Sequence, residues 1–518
     1  MKTNTSSSKS TNLILLGLFV VSKFILQYAL IDPVYDLHRD EYLHLDQGKH
    51  LAWGYISVPP VTSWISYIII HLGNSVFWVK FFPALFGALT IVIAWYTVKE
   101  LKGRLFAQIL TATALTFSVL LRINILYQPN SLDILCWTLF YYTILKYFNS
   151  NKSRWLWMAA ITLAVGFLNK YNVVFLLMGF LPALCISPQR KIILNSQLYI
   201  AIFIALLLIL PNLVWQYQNH FPVYYHLKTL AATQLINVSR LDFLKTQLIF
   251  FYNSIFILVA ALIAFFTYQP FSRLKIFFWS FTFTLIVFVY FKAKDYYSLG
   301  LYPFLFAFGS VYLETIFSTR WKVYLKPLAL IIIIVSFLPF FKVVFPNHTP
   351  AEIAHDPSKY KSLGLLRWED GKDHTLPQDF ADMLGWRELA HKVDGVYDTI
   401  ADKAHTLVYC DNYGEAGAIN YYSKRDLHAV SMNADYLHWF NFNDGEIKNI
   451  LFVKHAGSKG ISIDKEIPLF DTIQFCGKIE DRYAREVGTS IFIMHGAKQS
   501  INKILKAEIE QRSISHDD

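Results

Sequence analysis

Charge is what this 518-residue chain has least of: 16% of its residues are charged, against 54% hydrophobic and 17% aromatic. That scarcity excludes an ordinary soluble fold, because apolar runs of near-spanning length recur too often for one core to bury them. No glycine-rich phosphate loop, metal-ligand spacing or nucleophile elbow occurs, so the common sequence signatures of nucleotide, zinc and serine-hydrolase chemistry are missing. Internal repeats are absent, and low complexity is confined to the Ser and Thr of the first twelve residues. Four cysteines add little. Cys136 and Cys185 lie in apolar runs, whereas Cys410 and Cys476 lie near the C-terminus and could pair if that part meets an oxidising compartment.

What is present is a pattern of spans. A helix needs about 20 mainly apolar residues to cross a hydrocarbon core. By that rule about eleven are expected, near 12–31, 77–98, 105–122, 131–148, 155–168, 172–187, 197–215, 247–268, 275–291, 297–317 and 326–345. The first is too long for a signal-peptide core and lacks a small-residue cleavage site, so it reads as an uncleaved anchor. With the N-terminus inside, the alternate loops at Lys99–Arg104, Lys146–Arg154, Arg190–Lys191, Arg273–Lys275 and Arg320–Lys322 are all basic, as short cytoplasmic loops should be. Residues 1–345 carry 27 basic and 10 acidic side chains, residues 346–518 carry 20 and 27. This basic excess is read as membrane topology and not nucleic-acid binding. The change of sign predicts a polytopic α-helical membrane domain over 1–345 and a soluble α/β domain over 346–518. An odd number of spans puts that second domain outside, where the loop 32–76 also lies.

In the second domain, HTLVYC, HAVSM, NILFVKH, FDTIQFCGKI and TSIFIMH read as strands. DFADMLGWRELAHKVDGVYDTI, GEAGAINYYS and the charged end from about Gln499 read as helices, and the whole as a mixed sheet.

The loop 32–76 is the most charged part of the membrane half. Asp36, Arg39, Asp40, Glu41, His44, Asp46, Lys49 and His50 crowd into fifteen residues. The Pro59-Pro60 pair opens VTSWISYIII, too short to span. Two helices along the membrane surface would hold a carboxylate where a lipid-borne substrate can reach it. Asp133, Lys170, Lys292, Lys294 and Arg122 fall at the same ends of spans. Each lysine could simply snorkel, but together with Arg122 they suit an anionic headgroup such as a lipid phosphate. Asp133 reads equally as a first-turn charge favoured by the helix dipole. No cofactor is called for. A divalent metal has only His44 and His50 beside Asp46 as candidates, and solvated loop residues read the same way.

Arg39-Asp40-Glu41-Tyr42, with Gly48 to Tyr55 and Pro59-Pro60, resembles the first outer loop of bacterial glycosyltransferase family 39 proteins of the GT-C class. These are related to the protein O-mannosyltransferases and the lipid A aminoarabinose transferases. Asp133, Lys294-Asp295-Tyr296-Tyr297 with Tyr302-Pro303, Asp379 to Trp386 and Tyr413 to Ala418 extend the resemblance over most of the chain. It implies a GT-C fold in a bacterial inner membrane, with transfer of a sugar from a polyprenyl-phosphate donor to an unknown acceptor on the outer face. By resemblance Asp40 is the general base, Glu41 completes the acidic pair and Asp133 joins them. Lys170, Lys292, Lys294 and Arg122 would then bind the donor phosphate, with Arg39, His44, Lys49, His50, Tyr296 and Tyr297 as further substrate contacts. Val58 and Leu43 stand where the aminoarabinose transferases carry cations, which argues against a narrow assignment to lipid A. A transporter or flippase of lipid-linked sugars is the competing class, although charges gathered at one face fit it poorly. The Tyr413–Ala418 run reads either as part of an acceptor-presenting module or as a turn made for packing.

Overall fold

The computed structural model describes residues 4–457 and 467–515. The outermost ends of both expected domains, 1–3 and 516–518, lie outside the described residues. Among the described residues, six helices are long and apolar enough to cross a membrane: Ser10–Ala29, Val76–Glu100, Ser196–Gln218, Gln269–Tyr290, Asp295–Ile316 and Arg320–Phe341. The count rises to eight if two bent pairs each form one span, Val173–Ile186 with Pro188–Leu194 (103°) and Arg240–Ile249 with Tyr252–Thr267 (57°). The expectation of about eleven is therefore corrected. The run at 105–122 stops as a helix at Thr116, where Phe117 leaves helical geometry. Arg154–Asn169 ends after 16 residues because Lys170 turns extended. Asn130–Ser150 is 21 residues long, but Asp133, Lys146 and its tyrosines make it too polar by composition. Counting apolar residues cannot see a break that packing imposes.

The helices differ in how far neighbours cover them. Asp295–Ile316 is buried over 83% of its apolar window and Ser196–Gln218 over 11%, so the first is the centre of the bundle and the second its rim. Around the centre, Trp137, Phe277, Phe304, Phe306 and Phe308 interlock in one aromatic core. Gly300 lets the chain approach Trp137, since a Cβ there would lie 2.6 Å from the indole.

Beyond Phe341, the chain forms a five-stranded sheet in the order β2-β1-β3-β5-β4, with β1 Thr406–Cys410, β2 Val430–Ser431, β3 Asn449–Lys454, β4 Phe470–Lys478 and β5 Ser490–Ala497. β1 runs parallel to β2 and β3, and β5 is antiparallel to β3 and β4, so the sheet is mixed. Helices Trp386–Thr399, Tyr413–Tyr422 and Ile501–Ser515 accompany it. The expected strands are present, β2 as two residues only, and so are the helices, except that the one expected over 379–400 breaks into Gln378–Ala381 and Trp386–Thr399 where Gly385 turns left-handed (φ 83°). The Cys410–Cys476 pairing is not: β1 and β4 are three strand spacings apart, about 14 Å, beyond the reach of a disulfide, and both thiols are free.

Loop and sheet domain do meet. Tyr35, Leu37, Tyr42, Leu43 and Leu45 share a core with Phe380, Trp386, Ala416 and Tyr436. Backbone hydrogen bonds run from Asp32 to Pro346, Asp36 to Met383 and Arg39 to Asp382. Asp36 accepts from the amides of Trp386 (2.9 Å) and Arg387 (3.2 Å), so it sits at the positive end of the Trp386–Thr399 helix, and it also pairs with the Arg387 guanidinium at 2.8 Å.

Candidate functional site

The crowded loop folds into a short helix, Arg39–Gln47. Its start is a capping box: His38 accepts from the Asp40 amide through Nδ1, and Glu41 reaches back to the His38 amide at 2.7 Å. The other His38 nitrogen, Nε2, lies 3.6 Å from Asp382.

Successive helical residues point about 100° apart, and this separates Asp40 from Glu41. Glu41 turns inward and is fully buried. Lys80 lies 2.6 and 2.7 Å from its two oxygens, and the Tyr127 amide donates to Oε1 at 2.6 Å. The expectation of a catalytic acidic pair thus meets a Glu41 whose lone pairs are committed to holding helices together. Lys80 was overlooked in the sequence because it lies in an apolar run, although an isolated lysine at membrane depth is itself the signal of a buried partner.

Asp40 instead remains 37% exposed at its side chain. Its Oδ1 accepts from the Tyr413 hydroxyl at 2.7 Å and its Oδ2 from Gln128 at 3.1 Å. Burial alone would raise the Asp40 carboxyl, but His38, Arg39 and the Tyr413 hydroxyl outweigh it and bring it down to about 2. Burial pushes the Tyr413 hydroxyl well up, so it stays a donor at working pH. Arg39 lies over the Tyr413 ring, 4.6 Å from its centroid.

Tyr413 opens the Tyr413–Tyr422 helix, capped by Asn412 and Glu415. The small residues of its YGEAGA run are explained by close approach: a Cβ on Gly417 would lie 2.6 Å from both Tyr42 Cβ and the Tyr436 hydroxyl. The run is a packing face, and it also delivers Tyr413 to Asp40.

On the membrane side, Lys170 donates to Asn130 at 2.7 Å and stands over the rings of Tyr297 (4.1 Å) and Tyr296 (5.3 Å). Lys294 donates to Glu369 of the sheet domain at 2.7 Å and lies within electrostatic reach of Asp40 and Lys170. Asp133 is buried, accepting from Trp137 (2.9 Å) and Asn172 (2.8 Å). Asn172 also donates to the Tyr297 carbonyl at 3.0 Å. Asp40, Lys170, Lys294, Asp133, Tyr296 and Tyr297 therefore share one neighbourhood. Arg122 is occupied elsewhere, with Asp379 at 2.9 Å and the Phe380 ring. Lys292 takes a left-handed backbone (φ 52°) and makes no side-chain hydrogen bond or ion pair among the described residues.

The far end of the acidic helix is fastened to the sheet domain. Asp46 accepts from Asn420 (2.8 Å) and Tyr436 (2.7 Å) and pairs with Lys49 (2.9 Å). His44 hydrogen-bonds Gln47 at 3.0 Å, and His50 stacks on Trp439. His44 and Asp46 thus have separate partners. Among the described residues, the group whose ligand atoms converge is Glu415, His455 and Glu486, all in the sheet domain.

A family model described as dolichyl-phosphate-mannose-protein mannosyltransferase matches residues 57–215. The lipid A galacturonosyltransferase RgtD of Rhizobium johnstonii is 27% identical over 241 residues, which is 45% of this chain. The chain spans about half the length of that relative, 50%. ArnT from Cupriavidus metallidurans bound to undecaprenyl phosphate superposes with a TM-score of 0.59 at 12% identity, covering 92% of this chain and 98% of that one. Its apo form gives 0.58 at 13% identity, covering 94% and 98%. The chain has the fold of ArnT, a helical membrane domain with a C-terminal soluble domain.

Proposed function

We propose that this protein is a membrane glycosyltransferase that moves a sugar from a polyprenyl-phosphate donor to an acceptor, with Asp40 as general base. The observation that carries the reading is the pairing of one half-exposed, ionised carboxylate with a lysine-rich, tyrosine-lined wall at the seam of the two domains. The undecaprenyl phosphate in the ArnT structure and the mannosyltransferase match support the same donor class.

In this mechanism the acceptor hydroxyl gives its proton to Asp40 while its oxygen attacks the anomeric carbon, and the bond to the donor phosphate breaks with its electron pair on the phosphate. The leaving group is already an anion, so it needs cations more than a general acid. Lys170 and Lys294 supply them, Lys294 exchanging Glu369 for phosphate, and Tyr296 and Tyr297 line the path. Arg122 and Lys292 stand as outer members of the cationic set, and Arg39 fixes the Tyr413 ring. Base and leaving group on opposite faces of the sugar give inversion by single displacement. Glu41 and Asp133 act as positioning residues, one through Lys80 and Tyr127, the other through Asn172 and Tyr297.

The setting we infer is a bacterial inner membrane with the N-terminus cytoplasmic; one of the two bent pairs counted as a span gives the odd number, seven, that puts the sheet domain on the outer face with the acidic helix. Membranes containing the protein, supplied with a panel of polyprenyl-phosphate sugars and followed by mass spectrometry, are expected to consume one donor and release polyprenyl phosphate. Reconstituted vesicles that move labelled lipid-linked sugar across the bilayer without breaking the glycosidic bond would favour a flippase and overturn the proposal.

A further inference from the structure

The sheet domain holds a cluster that the proposed transfer does not use. Glu415 comes from the Tyr413–Tyr422 helix, His455 follows β3, and Glu486 lies in the connection between β4 and β5. Both carboxylates are buried, at 0% and 2% exposure. His455 Nδ1 lies 3.8 Å from Glu415 Oε1 and closer still to Glu486 Oε2. Glu415 Oε1 is buried with no hydrogen-bond partner, Glu486 Oε2 and His455 Nδ1 have none besides each other, and the three ligand atoms lie within 4.8 Å of one another. A third carboxylate adds to the negative charge: Asp411 accepts from the His455 amide at 2.9 Å. Buried, unpartnered acceptors facing one another are costly unless a cation lies between them. The neighbouring arginines are engaged elsewhere, Arg39 with the Tyr413 ring and Arg485 with Asp382.

We infer that Glu415, His455 and Glu486 form a binding site for one divalent transition-metal ion of the zinc type. One imidazole and two carboxylates make a three-ligand set that leaves a fourth position for water, and the partly exposed His455 provides the entry route. Ligand distances of about 2.0–2.2 Å require the donor atoms to close to about 3.3 Å, a small adjustment for Glu415, while the His455–Glu486 pair opens.

The site would join three separate segments of the sheet domain, and two of them reach Asp40. Glu415 lies two residues beyond Tyr413, which donates to Asp40. Glu486 follows Arg485, which pairs with Asp382 at 3.1 Å, and Asp382 faces His38 beneath the Asp40 amide. The ion would therefore brace the two arms that hold the Asp40 carboxylate. This inference stands on the sheet domain's own geometry and is tested without any sugar donor, so it succeeds or fails apart from the transferase reading.

The test uses the full chain in detergent, stripped with EDTA and titrated with ZnCl2 by calorimetry. One zinc per chain is expected, with micromolar or tighter affinity and a thermal midpoint raised by several degrees. Glu486→Gln should weaken binding at least tenfold. His455→Cys, which keeps a zinc ligand, should bind cobalt with an intense thiolate-to-metal absorption that the wild type lacks. Substoichiometric zinc with an unmoved midpoint would overturn the site and leave a protonated histidine between two carboxylates. So would a folded His455→Cys without the cobalt signature.

Discussion

Asp40 and Glu41 are neighbours in sequence and opposites in setting. Glu41 faces the inside of the bundle, where a lysine, two backbone amides and full burial use up its capacity to accept. Asp40 faces the seam, where two neutral donors hold it and part of it stays open. The difference teaches that a carboxylate-rich motif is not a unit. One turn of helix can place a fully satisfied structural ion pair beside a group that still has room for a proton.

The sharpest way to break this comparison is Asp40→Asn. A positioned base contributes typically 10²- to 10⁴-fold, so transfer should fall by about that factor while the protein still folds, with a modest drop in thermal midpoint from the lost charge. Lys80→Met attacks the other side. It leaves Glu41 buried and unpaired, and should cost about 3–5 kcal/mol of stability by denaturant or thermal unfolding, with much of it recovered in Glu41→Gln/Lys80→Met.

Smaller effects sharpen the picture. Lys294→Ala should weaken donor use by roughly tenfold and flatten its dependence on salt, read as a rise in KM, since a cation on a lipid phosphate is worth about 1–2 kcal/mol in a partly exposed site.

Tyr413→Phe removes a donor to the charged form of Asp40, so it should raise that carboxyl from about 2 towards its ordinary value. Because the folded value is depressed, the stability Asp40 contributes is present above its unfolded pKa of about 3.9 and is lost as pH falls through about 2. In Tyr413→Phe that loss, and the acid limb of activity due to Asp40, should move to higher pH.

Much of this was legible in the sequence. Short apolar, β-branched and aromatic runs marked all five strands, and β3, buried along nearly its whole length, shows no alternation at all. The charged island marked the helix that the two domains share. The span count failed where packing, and not composition, sets the helix ends, at Phe117 and Lys170. Lys80 and Gln128 escaped because their importance comes only from facing Glu41 and Asp40 across the fold. The Tyr413 run was visible as a helix start, but that its first residue touches Asp40 depends on a contact 373 residues away in sequence.

The division of labour in the acidic helix is tested most directly by transfer rates per folded enzyme, with one polyprenyl-phosphate sugar at saturation, for Asp40→Asn and for Glu41→Gln/Lys80→Met. The account predicts a loss of at least about 10²-fold in the first and a change within about tenfold in the second. A folded double variant as inactive as Asp40→Asn, or an Asp40→Asn with near wild-type turnover, would contradict it.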